Sequence, residues 1–277
     1  MAERANPEAL REVARARFDG GALRARDADS VAREEPLEIQ VNGAQIAVVM
    51  RTPGDDLDLA AGFLVTERIV SDFAEVESLH HASAGEAERA DNVVRATLVR
   101  GAHFDAERLR RNLFASSSCG VCGKASLEQA LVCAPPLTDA ARFPAAFFSA
   151  LPARLRAAQR VFDATGGLHG AALFDARGAM PCVREDVGRH NAVDKVVGWA
   201  ARGGRLPLSG CALLVSGRVS FEIVQKALAA RIPAIAAVSA PSSLAIELAE
   251  RAGIALVAFL RGEQMSVYGA RERIVAR

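Results

Sequence analysis

Apolar and polar residues alternate cleanly from Pro36 onward, with Leu37, Ile39 and Val41 on one face and Glu38 and Gln40 on the other. Asn42-Gly43 follows, the pair best suited to a two-residue hairpin turn because both positions accept positive φ. Residues 44–50 then return as the second strand. Thr52-Pro53-Gly54-Asp55-Asp56 forms a turn that delivers a helix, and residues 57–67 carry apolar side chains at helical spacing. A further strand is predicted over 92–99. His80 and His81 fall in a polar connection and read as surface residues. Residues 1–35 are rich in Arg, Ala, Asp and Glu without a steady apolar stripe, which predicts a poorly ordered arm or a frayed helix. The first part of the chain is therefore read as an arm over 1–35 and a small α+β domain over 36–136, closing at Pro135-Pro136.

The second part, 137–277, changes rhythm. An Arg-rich helix over 150–159 precedes the glycine-rich Thr165-Gly166-Gly167-Leu168-His169-Gly170 and a strand over 171–175. A second strand over 179–184 contains Pro181, which suits an edge or a bulge. A helix carries Ala192, Val193, Val196, Val197 and Trp199. Strands at 211–215, 234–238 and 254–259 then alternate with helices at 221–228 and 244–252, the latter stopped by Gly253. Short continuous apolar strands between helices predict a mainly parallel sheet covered on both faces.

Composition narrows the function classes. Of 277 residues, 51% are hydrophobic and 24% charged, an ordinary globular balance able to bury a large core. A net charge of +1, one Trp and one Tyr supply neither the electrostatic footprint nor the stacking platforms of a nucleic-acid binder. No apolar run is long enough for a membrane span and no signal peptide is evident, so a cytoplasmic protein without membrane insertion is expected. Five scattered cysteines do not form a secreted disulfide framework.

Two stretches carry candidate chemistry. Ser116-Ser117-Ser118-Cys119-Gly120-Val121-Cys122-Gly123-Lys124 holds two thiols three positions apart, flanked by glycines and followed by a lysine and a short predicted helix over 126–132. A thiolate is the nucleophilic form of cysteine, and a nearby cation or helix N-terminus stabilises it. Thiol chemistry, half of a structural zinc site and an inert loop all fit this segment. Ligands of open α/β sheets bind beyond the carboxyl ends of the strands. Those ends are Ser216-Gly217-Arg218, Ser239-Ala240-Pro241-Ser242-Ser243 and Arg261-Gly262-Glu263-Gln264. Arginines and helix N-termini there suit a phosphate-bearing ligand. No GxGxxG or P-loop pattern is present. Helix capping by those serines is the plainer alternative.

Glu185, Asp186, Arg189, His190, Asn191, Asp194 and Lys195 crowd one strand-to-helix turn. Some of this reads as capping and i,i+4 pairing, Asp194 with a neighbour one turn away among them. His169 and His190 fit a structural role as well as an acid–base one. Cys133, Cys182 and Cys211 sit in or beside apolar segments as small buried hydrophobes.

From Pro36 onward the chain resembles the formate dehydrogenase accessory sulfurtransferase family, FdhD. The resemblance rests on residues 118–123, 184–195 and 215–222, on Ser239-Ala240-Pro241-Ser242-Ser243-Leu244-Ala245 and on Phe259-Leu260-Arg261-Gly262. It implies a sulfur carrier that accepts persulfide sulfur from a cysteine desulfurase and passes it to the molybdenum (or tungsten) bis-guanine-dinucleotide cofactor of formate dehydrogenase. In that reading Cys119 carries the persulfide and Cys122 is its partner. Phe259, Leu260, Arg261, Gly262, Glu263 and Gln264 bind the cofactor, joined by the rim residues Ser216, Gly217, Arg218 and Ser239. The resemblance further implies a homodimer and an α/β fold in which a cytidine-deaminase-like three-layer α/β/α domain follows the smaller N-terminal α+β domain, with no permanently bound metal. Two rivals remain. A zinc deaminase would need ligand motifs where this chain has Arg189-His190-Asn191 and Ser216-Gly217-Arg218-Val219-Ser220. A non-catalytic cofactor chaperone would bind the same substrate without moving sulfur.

Overall fold

The computed structural model describes residues 6–83, 90–102, 131 and 134–276. The CxxC loop, Cys133 and almost all of the helix expected over 126–132 lie outside the described residues.

The chain opens with a correction. Residues expected as a loose arm form a long antiparallel hairpin, β1 (Leu10–Asp19) and β2 (Ala22–Ala32). Its turn is Gly20-Gly21, with φ of 56° and 84°, a local signal outweighed in the sequence by the abundance of helix-favouring Ala and Arg. The predicted hairpin follows as β3 (Glu35–Val41) and β4 (Ala44–Arg51), turning at Asn42 and Gly43, both at positive φ. Helix α1 (Asp56–Thr66) comes next, then β5 (Val76–His81) and β6 (Val93–Leu98). These make a four-stranded sheet in the order β4-β3-β6-β5, with β3 and β6 parallel. His80 and His81 close β5 rather than lying in a connection.

The second sheet has six strands: β8 (His169–Phe174), β9 (Cys182–Asp186), β10 (Ala212–Val215), β11 (Ala234–Ala237), β12 (Ala255–Arg261) and β13 (Gln264–Gly269). Their order is β13-β12-β11-β10-β8-β9. The expected mainly parallel sheet is in fact mixed. Only β10-β11 and β11-β12 pair in parallel, because β8 runs against β10 and β9, and β13 folds straight back on β12. β9 begins just after Pro181 and lies on the edge, where the missing N–H costs no ladder bond.

Alternation in the strands sends side chains to two layers of helix. Leu213, Val215, Ile235, Ala237 and Leu256 face α5 (Arg189–Arg202), α6 (Phe221–Ala229) and α7 (Ser243–Ala252). Ala212, Leu214, Ala236 and Val257 face the other way, toward α2 (Ala145–Ser149) and α3 (Leu151–Ala158), which supply Phe148, Leu151 and Leu155. The short α4 (Arg160–Thr165) follows, and β7 (Phe143–Pro144) pairs with β14 (Ile274–Val275) beside this layer.

The first sheet is joined to the second through one continuous apolar cluster that runs from Leu37, Leu59 and Leu64 to Val193, Val197 and Leu256. At its centre α1 crosses α5 with glycines at the contact. A β-carbon on Gly62 would lie 1.8 Å from the Asp194 carbonyl oxygen, and one on Gly198 would lie 1.7 Å from that of Asp58. Only hydrogen fits, so the helices approach backbone to backbone. Among the described residues, no helix is long and apolar enough to cross a membrane.

Candidate functional site

The carboxyl ends of β9, β10, β11 and β12 point the same way, and their loops interlock into one rim. Ser216 binds the β8 backbone twice: its N–H donates to Gly170 O (2.9 Å) and its Oγ accepts from Gly170 N–H (2.9 Å). Gly217 stands against His169, whose Nδ1 would lie 3.1 Å from a β-carbon placed there, with Arg189 Cβ at 3.9 Å. Val219 N–H donates to Ala240 O (3.1 Å) and Val219 bridges Pro241, which fastens the β10 loop to the β11 loop. Ser239 O in turn accepts from Phe259 N–H (3.2 Å). The structure thus brings Ser216, Gly217, Arg218, Ser239 and Phe259 to one edge.

The segment 259–264 has a shape its sequence does not reveal. It is the tip of a hairpin, with Arg261 paired to Gln264 across Gly262 and Glu263. Between Ala258 and Arg261 the register slips, and Phe259 takes a φ of 56°, costly for an aromatic residue. The bulge buries Leu260 in the second core cluster while leaving Phe259 42% exposed. Arg261, Gly262, Glu263 and Gln264 are all exposed.

Charge on the rim is unevenly compensated. Arg189, Arg218 and Arg261 make no ion pair among the described residues, and Arg189 Nε is buried without a hydrogen-bond partner. Burial, reinforced by Arg189, holds His169 below its usual range. His190 is pushed down to about 4, first by burial and then by Arg189. Its Nε2 lies 3.1 Å from Ser220 Oγ and 3.8 Å from a Glu222 carboxylate oxygen. Ser220 sits at the α6 N-cap without capping it through its side chain, whereas Ser242 does cap α7, its Oγ accepting from Ala245 N–H at 3.3 Å. The capping alternative therefore holds for Ser242, whereas Ser216 binds the β8 backbone instead.

Most of the polar cluster between Arg184 and Lys195 does something else: it bolts the two sheets together. Asp186, fully buried, accepts from Thr52 N–H (3.1 Å), Gly188 N–H (2.8 Å) and Asn191 Nδ2 (2.9 Å), and pairs with Lys195 Nζ at 2.8 Å. Lys195 also donates to Thr52 O (2.9 Å), and Asn191 to Met50 O (2.7 Å). Glu185 accepts from the free N–H groups of Val161 and Phe162 at the start of α4. Arg184 binds Asp58, which also receives Arg202. Asp194 does not pair one turn along its own helix as expected; its partners are Thr66 Oγ1 (2.7 Å) and Lys226 Nζ (2.9 Å). Burial works against the Lys226 charge, but Asp194 and then Glu67 more than offset it, so the ammonium is held above its ordinary range. Only Arg189 and His190 are left to face the rim. Sequence reasoning placed neither Arg189 nor His169 there; their separate neighbourhood to glycines, Gly188 and Gly170, was the available signal.

Of the remaining cysteines, Cys182 is the buried hydrophobe the sequence predicts, and Cys211 is only partly so. Cys182 is buried, and burial pushes its thiol up to about 12; Cys211 is half-buried and raised for the same reason. Among the described residues, no group of three or more His, Cys, Asp or Glu stands in a metal-holding arrangement.

Fold and site together define a mixed α/β protein with an arginine-bearing rim at its parallel strand ends. The FdhD/NarQ family model matches residues 32–275, and the chain belongs to that family. A protein named sulfur carrier protein FdhD from Mycolicibacterium paratuberculosis is 54% identical over 245 residues, covering 87% of this chain and 90% of its own. One of the same name from Streptomyces avermitilis is 50% identical over 270 residues, covering 94% of each chain. A crystal structure of a Desulfotalea psychrophila protein, to which a formate dehydrogenase accessory role has been ascribed, superposes with a TM-score of 0.75. It is 26% identical, and the match covers 96% of this chain and 99% of that one.

Proposed function

We propose that this protein is a cytoplasmic sulfur carrier serving the maturation of formate dehydrogenase. The observation that carries the reading is family membership, with relatives about half identical over most of the chain bearing the name sulfur carrier. Cys119 is the carrier thiol. Its thiolate attacks the terminal sulfur of a cysteine desulfurase persulfide; a new S–S bond forms, the donor S–S bond breaks, and the desulfurase leaves as thiolate. No net oxidation accompanies this exchange. For delivery, the Cys122 thiolate attacks Cys119 Sγ and expels the terminal sulfur as sulfide. The two electrons come from the thiol pair, which ends as a disulfide and is reset by a cellular dithiol.

The acceptor is the molybdenum (or tungsten) bis-guanine-dinucleotide cofactor, bound as substrate. Its diphosphates match a rim where Arg189, Arg218 and Arg261 make no ion pair among the described residues, Glu222 being the carboxylate that Arg189 acts on from a distance. Phe259, Arg261, Gly262, Glu263 and Gln264 form one wall, with the Leu260 side chain expected to face the cofactor turned instead into the core behind them, and Ser216, Gly217, Arg218 and Ser239 form the other. The exposed Phe259 offers a stacking face for a guanine. The six-stranded domain takes a cytidine-deaminase-like three-layer arrangement, and the protein acts as a homodimer. Where a deaminase would hold zinc, Arg189, His190 and the 216–220 loop instead build the anion rim.

Incubation with a cysteine desulfurase and cysteine tests the carrier role. The expected result is one added sulfur on the peptide containing Cys119, released by dithiothreitol and missing from Cys119→Ala. Equal sulfur loading of Cys119→Ala, or full formate dehydrogenase activity in cells expressing it, sinks the reading.

A further inference from the structure

The His169 side chain takes no part in the polar network that bolts the two sheets together. It opens β8 on the face shared with Ala171 and Leu173, so its ring lies on the helix α5 side of the sheet, at the rim. Three elements close around it. From the β10 loop, Gly217 makes room for the ring: a β-carbon there would lie 3.1 Å from His169 Nδ1, 3.4 Å from its Cε1 and 3.9 Å from Arg189 Cβ on α5. Arg218 follows in the same loop, and Asp186 is paired with His169 across the β8–β9 ladder.

These groups set the charge of the ring. Burial opposes a proton on it most, and Arg189 next; Asp186 favours one, and Arg218 again opposes it. Asp186 is already neutralised by Lys195 Nζ at 2.8 Å. His190, the other histidine of the rim, is engaged with Ser220 Oγ (3.1 Å) and stands 3.8 Å from Glu222. The His169 ring has no hydrogen-bond partner among the described residues. A neutral imidazole, which keeps one bare nitrogen, thus stands beside two guanidiniums that make no ion pair among the described residues. An arriving anion changes that balance. Its negative charge on Arg189 and Arg218 cancels the repulsion that helps to keep His169 neutral, and adds an attraction of its own.

On the reading of the rim as a diphosphate site, we propose that it binds its ligand together with one proton from solvent, held on His169, which becomes a third cation on the phosphates beside Arg189 and Arg218. Linkage fixes the sign. His169 starts below the ordinary imidazole value of 6.5, and the ligand raises it. Affinity therefore rises as pH falls through the interval between the ligand-bound and ligand-free titrations, by at most about tenfold per pH unit for one proton, and levels off on either side. His190, pushed down to about 4, stays neutral through that interval.

Calorimetry with diguanosine diphosphate, two guanosines joined through one diphosphate, tests the proposal. A diphosphate esterified at both ends has no ionisation near neutral pH, so the protons exchanged belong to the protein. Titrations of the full chain in buffers of unlike ionisation enthalpy, from about pH 5 to 8 where imidazoles titrate, count them. The wild type is expected to take up about half a proton or more per ligand at its maximum, and to bind about fivefold or more tightly at the acid end than at the alkaline end. His169→Gln takes up none and loses the pH dependence, while its affinity at the alkaline end stays within about threefold of wild type. A histidine that only shapes the rim would weaken binding at every pH and leave the proton count alone. By NMR, one of the five wild-type imidazoles moves its titration upward when the probe is added, and that signal is missing from His169→Gln. The wild-type proton count needs no variant, so it decides even where the substitution disturbs folding. Binding without proton uptake, or uptake that His169→Gln retains, overturns the proposal and leaves the rim as a diphosphate site. Absence of binding at every pH overturns both.

Discussion

His190 shows how much one side chain's meaning depends on its surroundings. In sequence it is a histidine beside acids, fit for proton transfer. In the fold it touches Ser220 and stands behind Arg189, neutral down to about 4 because burial and that guanidinium oppose its charge. Its folded value lies below the ordinary 6.5, so as pH falls the unfolded chain takes up the proton first. Its contribution to stability is complete above about 6.5 and disappears as pH falls toward 4. The expected result is an imidazole resonance that titrates near 4 in the folded protein, followed by NMR; a midpoint near 6.5 contradicts the buried, neutral assignment. The same residue scale explains Asp186 and Asp194. Both sit in a helix-start cluster that reads as local capping, yet their partners Thr52 and Thr66 are 134 and 128 residues away. No local spacing rule reaches that far.

Among elements, α1 and α5 are the joint on which the architecture turns. Each helix is legible from its own apolar spacing, but nothing local says that Gly62 and Gly198 face one another. Gly198→Ala places a methyl group where the Asp58 carbonyl oxygen stands 1.7 Å away, so the helices must part. Overpacking of this kind costs about 3 kcal/mol or more when backbone rather than a side-chain end must move. The check is urea unfolding, and a loss below about 1 kcal/mol, typical of a tolerated core change, contradicts the close crossing. The first and last hairpins teach a related lesson. Gly20-Gly21 and Gly262-Glu263 are both turn signals, but Ala- and Arg-rich flanks hide the first, and a break in register after Ala258 disguises the second. In each case the pairing strand, which propensity does not encode, decides the outcome.

At the scale of the molecule, two sheets share one core and one polar bolt. Lys195→Met strips the cation from the buried Asp186 carboxylate and removes a bond to Thr52 O. Losing one partner of a buried pair costs about 3–5 kcal/mol. Because the apolar cluster runs through both sheets, this loss is expected to lower the midpoint of a single unfolding transition seen by both near- and far-ultraviolet circular dichroism. Two separated transitions in the wild type contradict a shared core. The sequence by itself determined the longer helices α1, α3, α5, α6 and α7, most strands, the hairpin at Asn42-Gly43, the CxxC pair and the strand-end loops, since period, turn chemistry and motif are local properties of the chain. Tertiary structure alone decided the mixed direction of the sheet. It also made the 184–195 cluster an anchor rather than a catalytic array, leaving Arg189 free to join Arg218 on the rim. The reason is physical: hydrogen bonds and ion pairs in the core are chosen by which backbones meet after folding, and those meetings lie more than a hundred residues apart in the chain.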